Sequence, residues 1–322
     1  ADPEQGLSSA VRVGFFAQQH DLPAAGCRPD IENDAEYSSY FWGAMIGQSR
    51  SGKPMPGCDA DGNGEVSFDE AHAQALIAAE TIDIPLKASD MLLRQFSRIP
   101  DYTLAADRAR FLRGQGARPN VEAGPDSKDE GAKTLSSMSG TIESLLDGQS
   151  AATRRVVTSL CDQLQLRLAG DVSLVLDALR EHRAAHRFGG PGRGGFGGPG
   201  GGPGRRSSRR ELLAAITEKW PELGDPEKWK DAPQLKQGDQ SALLEEIKAL
   251  PAYETYLKRR EEREKQDAEA EKHELKGVKY RRLVDTLESI VLAKNLAQVA
   301  SPEINAGYQK MRKLEDSSLR PK

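Results

Sequence analysis

The stretch Asp59–Glu70, with the sequence DADGNGEVSFDE, specifies its own local fold and chemistry residue by residue. It satisfies the calcium-loop pattern D-x-[DN]-x-[DN]-G-x5-E at every constrained position. Gly64, at position six, permits the sharp turn that a Cβ would resist. The predicted ligands offer side-chain oxygens, or a backbone carbonyl at position seven: Asp59, Asp61, Asn63, Glu65, Ser67 and Glu70. Oxygen ligands in this number favour Ca²⁺ over metals that prefer softer ligands. The alternative interpretation is an acidic surface turn that matches by chance.

The residues around this loop predict how it joins the rest of the fold. An EF-hand has a helix on each side of its loop, but here the segment before it is Lys53–Cys58, with the sequence KPMPGC. Two prolines and a glycine cannot continue a helix. Phe68 begins a helix that leaves the loop, and the chain holds no second loop to pair with this one. We therefore predict a structural ion, because a calcium switch opens a groove between paired helices.

Composition limits the broad class of protein. A chain of 322 residues is long enough for about two domains. The net charge of −4 argues against a general nucleic-acid binder. No run approaches 18 apolar residues, so no membrane span is predicted, and the opening sequence ADPEQGLSSA has no features of a signal peptide.

Residues 1–112 combine short apolar runs with helical patterns. The runs at 11–16 and 23–27 predict two buried strands, because each is bounded by polar and turn residues. Apolar residues at helical spacing predict helices at 36–48, 68–82, 89–99 and 103–112, with a break at Ile82–Pro85. Residues 113–130 are polar and contain Gly and Pro, so they are predicted to be a linker.

Residues 131–188 predict a helical hairpin, because two apolar helical patterns are interrupted at Gly170-Asp171. The Gly/Pro/Arg-rich segment 189–210 is predicted to be a flexible linker, since it offers little to bury. The RGG-like sequence of its glycine tract, residues 189–204, is also typical of RNA-binding segments. Arg193 and Phe196 are the only arginine and the only aromatic residue in that tract, so the linker interpretation is preferred.

Residues 211–322 are predicted to be helical. The run 257–275 is almost wholly charged, with opposite charges four residues apart such as Arg260 and Glu264, and it indicates a solvated helix or spacer. Apolar positions at a and d are missing there, which argues against a coiled coil. An apolar stripe between Leu283 and Leu296 is predicted to close a helical bundle or to dock on a partner.

Other reactive side chains carry weaker patterns. His20 and Cys27 have no catalytic motif around them, and no residue is predicted to be catalytic. His182 and His186 have a spacing that can hold zinc, but a solvated helix end is favoured because no third ligand is near in sequence. His72 is predicted to lie on the surface of the helix that leaves the loop.

The three cysteines fit neither a zinc spacing nor a CxxC redox motif. Cys27 and Cys58 either pair or remain two isolated thiols. No phosphate-binding loop or other cofactor motif is present, so Ca²⁺ is the one predicted cofactor.

Five segments resemble the second half of a bacterial caspase-like (legumain/caspase-type, clan CD) cysteine peptidase domain with an inserted calcium loop. The segments are Val13–Ala17, Ala24–Cys27, Glu36–Trp42, Asp59–His72 and Glu80–Asp90. The resemblance covers residues 10 to 100 and implies an α/β fold in which the region from Cys27 to Ser39 borders a substrate cleft. The strands that end in His-Gly and in the nucleophilic Cys in that family have no counterpart here, so no residue of this chain inherits a catalytic role.

The predicted fold class is mainly α: an N-terminal α/β remnant of a caspase-like domain with a calcium loop, followed by helical hairpins or a bundle. The predicted function is the calcium-stabilised C-terminal portion of a caspase-like cysteine endopeptidase whose dyad lies outside this chain, with a helical interaction extension. The alternative is a non-catalytic calcium-binding scaffold. The predicted partners are a calcium ion and a protein. The protein partner is either bound by the C-terminal helices or is an N-terminal catalytic segment. A loop without a paired partner predicts a calcium-rich extracytoplasmic location, periplasmic or secreted.

Overall fold

The computed structural model describes residues 12–19, 24–25, 36–100, 135–187, 203–229, 232–235 and 240–319. These residues are mainly helical, as the sequence predicts. The helices are α1 Tyr37–Ile46, α2 Phe68–Ala78, α3 Ala88–Phe96, α4 Ile142–Leu145, α5 Ala151–Leu164, α6 Val172–Arg187, α7 Pro203–Lys219, α8 Gln240–Lys248, α9 Pro251–Val299 and α10 Pro302–Glu315. Short 3-10 helices lie at Pro221–Gly224, Pro226–Lys228 and Pro233–Leu235. The chain separates into two compact units, one of residues 1–184 with 275–322 and one of residues 185–274.

The first unit contains a short antiparallel sheet. Strand β1, Phe15–Phe16, pairs with strand β2, Leu86–Lys87. The sequence predicts β1 but not β2, because β2 is too short to show an alternating pattern and follows directly on the break at Pro85. Of the predicted strand at 23–27, the structure describes only residues 24–25, which have no regular structure.

The core of the first unit is formed mainly by four helices. Its buried side chains include Leu76 of α2, Leu160 of α5, Val175 of α6, and Leu283 and Leu287 of α9. Each such side chain contributes about 1.5–3 kcal/mol when fully buried. The apolar stripe of α9 therefore packs within its own chain, which is the bundle-closing role among the two that the sequence allows.

A smaller cluster holds α10 in place. Leu93 of α3 and Leu292 and Leu296 of α9 are buried together, and Ile304 and Tyr308 of α10 pack against them. Ser97, which follows α3, donates a hydrogen bond to the backbone oxygen of Leu292 (2.7 Å). Helices α3, α9 and α10 therefore share one apolar contact region within the first unit.

The boundaries of the structure differ from the predicted ones at two places. Helix α7 begins at Pro203, inside the predicted linker 189–210, so that prediction fails for residues 203–210. A proline is well suited to the first turn of a helix, because its fixed φ is helical and the N–H it lacks would have no partner there. The predicted region 211–322 is divided, since residues 275–322 belong to the first unit and residues 211–274 to the second.

The charged run 257–275 lies within α9 and is largely exposed, as predicted. Arg260 Nε donates to Glu264 Oε1 at 2.7 Å, which confirms the pair predicted from sequence. The predicted helix at 103–112, the linker at 113–130 and the glycine tract up to residue 202 lie outside the described residues. None of the described helices combines the length and the apolar character needed to cross a bilayer.

Among the described residues of the first unit, Arg282 of α9 is the largest fully buried side chain, with 1% of its surface exposed. Its guanidinium donates to the backbone oxygens of Leu76, Ala79, Thr81 and Asp83 at 2.7–3.1 Å. Burial lowers the pKa of Arg282 to about 10. The last carbonyl groups of a helix have no partner within the helix. The Arg282 side chain provides donors for carbonyl groups at the end of α2 and in the turn that follows it.

Candidate metal centre

The loop 59–70 is built as its sequence predicts, with α2 leaving it and no helix leading into it. Gly62 and Gly64 have φ angles of 74° and 88°, the left-handed conformation that favours glycine. Ser67 caps α2: its Oγ accepts from Glu70 N (3.2 Å), and Glu70 Oε2 accepts from Ser67 N (2.9 Å). This reciprocal capping box fixes where the helix starts.

Three carboxylates converge in the loop. One oxygen each from Asp59, Asp61 and Glu70 lies within 4.8 Å of the others, and among the described residues no other group of three or more His, Cys, Asp or Glu side chains comes together in this way. Backbone N–H groups, first that of Gly64 (2.8 Å) and then those of Gly62 and Asn63, hold the pKa of Asp59 below its usual value. Asp59 is therefore ionised at neutral pH.

The other predicted ligands lie beside these carboxylates. Asn63 Nδ2 donates to Asp61 Oδ2 (2.9 Å), and Asn63 Oδ1 accepts from Glu65 N (2.9 Å). Ser67 Oγ also donates to Glu70 Oε2 (3.0 Å). The side chain of Glu65 accepts from Ser318 instead, which is compatible with the prediction because that prediction concerns the backbone carbonyl of Glu65.

Glu70 closes the loop on itself. Its side chain is 3% exposed, and its Oε1 accepts from Ala60 N (2.7 Å) and Asp61 N (3.2 Å) at the start of the loop. With the two bonds from Ser67, four donors occupy the roughly four lone-pair sites of this carboxylate. A cation coordinated by Glu70 therefore replaces some of these hydrogen bonds.

One residue of the loop belongs to a buried ionic network that was not predicted from the sequence. Asp69, at position eleven, pairs with Lys87 of β2 and with Arg312 Nη2 of α10 (3.0 Å), and Lys87 Nζ lies 3.6 Å from Glu315 Oε2. Burial raises the pKa of Asp69, but Lys87 and Arg312 outweigh it, so that the net shift is downward. These partners come from segments up to 243 residues apart, and no local pattern reveals them.

His72 is buried, with 3% of its surface exposed, so the prediction of a surface position is wrong. Helix α2 turns this position towards α1, where His72 Nδ1 lies 2.9 Å from the hydroxyl of Tyr37. Burial lowers the pKa of His72 to about 4. The imidazole is therefore neutral in the folded protein at pH 7.

Acidification is expected to destabilise the first unit through His72. A neutral buried imidazole stabilises the fold fully above the unfolded pKa of about 6.5, and this contribution is lost as pH falls towards 4. Between pH 7.5 and 5 the loss should be about 2 kcal/mol. The free energy of unfolding of the wild type and of His72→Gln can be measured in urea, both in chelator. The difference in this free energy between the two proteins should be smaller at pH 5 than at pH 7.5 by about 2 kcal/mol. A difference that does not change with pH would contradict the assignment of His72 as a buried, neutral imidazole.

The remaining candidates gain little from the structure. The ring centroid of His182 lies 6.3 Å from that of Tyr280, and the side chain of His186 lies outside the described residues, so a zinc pair gains no support. Cys58 and Cys161 are buried free thiols, and burial raises the pKa of Cys161 to about 11. His20 and Cys27 lie outside the described residues.

Comparison with known proteins adds no relative: no protein-family model, curated protein or solved structure matches this chain.

Proposed function

We propose that residues 59–70 bind one Ca²⁺ ion and that this ion stabilises the first unit. The observation that carries the proposal is the approach of Asp59, Asp61 and Glu70 to within 4.8 Å, at the positions that the calcium-loop pattern assigns to ligands. The other groups that can reach the ion, from Asn63, Glu65 and Ser67, also offer oxygen atoms. A set made only of oxygens is suited to a hard cation and poorly suited to zinc or copper.

A bound Ca²⁺ supplies two positive charges between carboxylates that otherwise repel one another. The loop would transmit this stabilisation to helix α1, because Val66 and Phe68 of the loop pack into an aromatic cluster with it. Phe68 stacks on Phe41 of α1 at 6.4 Å between ring centroids, and Val66 packs against the same cluster. The absence of a helix before the loop favours this structural role over a switch that opens a groove.

Direct titration tests the site. Isothermal titration calorimetry of the metal-free chain should show one Ca²⁺ per chain, with Mg²⁺ binding more weakly, because Mg²⁺ requires a smaller octahedral site and gives up its water reluctantly. Asp177→Asn, which removes an exposed carboxylate of α6, should leave the titration unchanged. The absence of Ca²⁺ binding at millimolar concentration would refute the proposal.

Residues 1–112 are proposed, further, to be the C-terminal portion of a caspase-like cysteine peptidase, with the later helices as an interaction extension. The packing of the segments that carry the resemblance supports this. Phe15 of the first segment lies 5.2 Å from Phe41 and 6.2 Å from Phe68 between ring centroids, and β1 pairs with β2 of the last segment. Segments that resemble one family in sequence thus form one cluster.

The coding sequence upstream of Ala1 tests the peptidase proposal. Strands ending in His-Gly and in Ala-Cys are expected there, and a product carrying both should react with a covalent probe for cysteine peptidases. Their absence would leave the non-catalytic calcium-binding scaffold as the function. Either role suits a calcium-rich extracytoplasmic space, which secretion of a tagged full-length product would test.

A further inference from the structure

We infer that Ca²⁺ at loop 59–70 controls the docking of segment 302–319, which consists of α10 and the four residues after it. The inference rests on the proposed calcium site and adds a regulated element to it. All the residues involved belong to the first unit. Segment 302–319 contacts the half of the loop that provides positions seven to twelve.

The first contact caps the helix that leaves the loop. Phe68 N donates to the backbone oxygen of Ser317 at 3.0 Å. Phe68 is the first residue of α2, so its N–H has no acceptor within its own helix. Segment 302–319 therefore supplies an acceptor at the position directly between Ser67 and the Asp69-Glu70 pair.

The second contact involves the residue at position seven. Ser318 Oγ donates to Glu65 Oε2. The backbone carbonyl of Glu65 is a predicted Ca²⁺ ligand, so the same residue would face the ion with its main chain and segment 302–319 with its side chain. Fixing the carbonyl for coordination also limits the positions that this side chain can take.

The third contact is ionic and joins the partly buried Arg312 to the buried carboxylates of Asp69 and Glu315. Arg312 Nη2 donates to Asp69 Oδ2 (3.0 Å), and Arg312 Nη1 donates to Glu315 Oε2 (2.9 Å). Glu315 accepts from Ser89 N (3.0 Å) and Ser89 Oγ (2.7 Å) in the first turn of α3. Charge-assisted bonds of this kind are stronger than neutral ones, and without Arg312 the buried carboxylates of Asp69 and Glu315 would share Lys87 as their remaining cation.

Coupling follows from these shared residues. Positions seven, ten and eleven of the loop bind segment 302–319, while positions seven, nine and twelve are predicted to bind the ion. Ordering of this part of the loop by Ca²⁺ thus prepares the surface on which the segment docks. Linkage is reciprocal, so removal of the docking contacts weakens Ca²⁺ binding by the same factor.

Docking also forms a wall of a cavity in the first unit. The cavity has a volume of about 470 Å³, and Tyr308, Gln309, Arg312 and Asp316 of segment 302–319 line one side of it. Release of the segment would open that side to solvent. Calcium would in this way determine whether this wall of the cavity is in place.

Hydrogen exchange of the full chain, read by mass spectrometry, tests the inference. Saturating Ca²⁺ should raise the protection of amides in 302–318 by about fivefold or more, the lower end of usual coupling factors. Amides in 203–219 serve as the internal control and should not change. In Glu70→Gln, Ca²⁺ should give no added protection of 302–318.

A calorimetric arm separates this inference from the calcium site itself. Arg312→Gln should weaken Ca²⁺ binding at least about fivefold, whereas Arg180→Gln, which breaks an exposed pair of α6, should not. Ser318→Ala provides a milder variant if Arg312→Gln does not fold. Normal Ca²⁺ binding with unchanged protection of 302–318 would overturn the inference and leave the calcium site intact. No Ca²⁺ binding at all would overturn both.

Discussion

Replacement of Arg282 by methionine is expected to lower the free energy of unfolding of the first unit by about 3–5 kcal/mol. Methionine has a similar length and no donors, so the carbonyls of Leu76, Ala79, Thr81 and Asp83 would lose the hydrogen bonds that they receive from this side chain. Each buried group left without a partner costs about 1–3 kcal/mol.

The acceptors of Arg282 explain why a hydrophobic replacement should not be neutral here. An apolar substitution for a buried ion pair can be harmless when both partners are replaced together. Here the acceptors belong to the main chain and remain whatever side chain stands at position 282. Arg282→Lys should give an intermediate loss, because an ammonium group has three donors against the five of a guanidinium.

Urea unfolding followed by circular dichroism measures this effect. Arg180→Met is the matched control, since Arg180 lies on α6 with its side chain 53% exposed and pairs only at the surface with Asp177. The free energy of unfolding of Arg180→Met should lie within about 1 kcal/mol of the wild-type value. If Arg282→Met were no more destabilised than this control, the hydrogen bonds of Arg282 to these carbonyl groups would not stabilise the fold as we predict.

Removal of calcium is expected to lower the melting temperature of the wild type but not that of Glu70→Gln. At a free Ca²⁺ concentration about 100 times Kd, binding to the folded state alone stabilises it by about 2.7 kcal/mol. For a unit of this size that corresponds to about 5–10 °C in Tm. Glu70→Gln removes one negative charge and the bidentate carboxylate from position twelve, so the shift should disappear.

The calcium shift is measured within each protein, because the metal-free forms will differ. A Gln at this position keeps one oxygen that can complete the capping box with Ser67, but its NH2 cannot accept from Ala60 N and Asp61 N, so Glu70→Gln should melt somewhat lower than the wild type in chelator. Glu80→Gln, which changes an exposed carboxylate two residues beyond α2, should keep the full calcium shift. A wild-type melt that is the same with and without chelator would rule out a stabilising ion.

Much of the candidate site was predictable because its determinants are local. The ligands of a calcium loop lie within twelve residues, and Gly64 and Ser67 set the turn and the helix start through contacts with their near neighbours. The helices were predictable for the same reason, since apolar spacing marks α5, α6 and the buried part of α9. The pair of Arg260 and Glu264 follows from a spacing of four on one helix.

Only the tertiary structure decided which polar residues lie inside. His72 and Arg282 occur in helical segments where a charged or polar residue is ordinarily exposed, and their burial depends on what packs against them. Arg282 meets its carbonyl partners across about 200 residues of chain, and Glu315 meets Ser89 across 226. No pattern within one segment can encode such a meeting, because it exists only once distant helices have packed. The sequence alone therefore determined the twelve-residue loop and the helices, whereas packing decided which segments hold that loop in place.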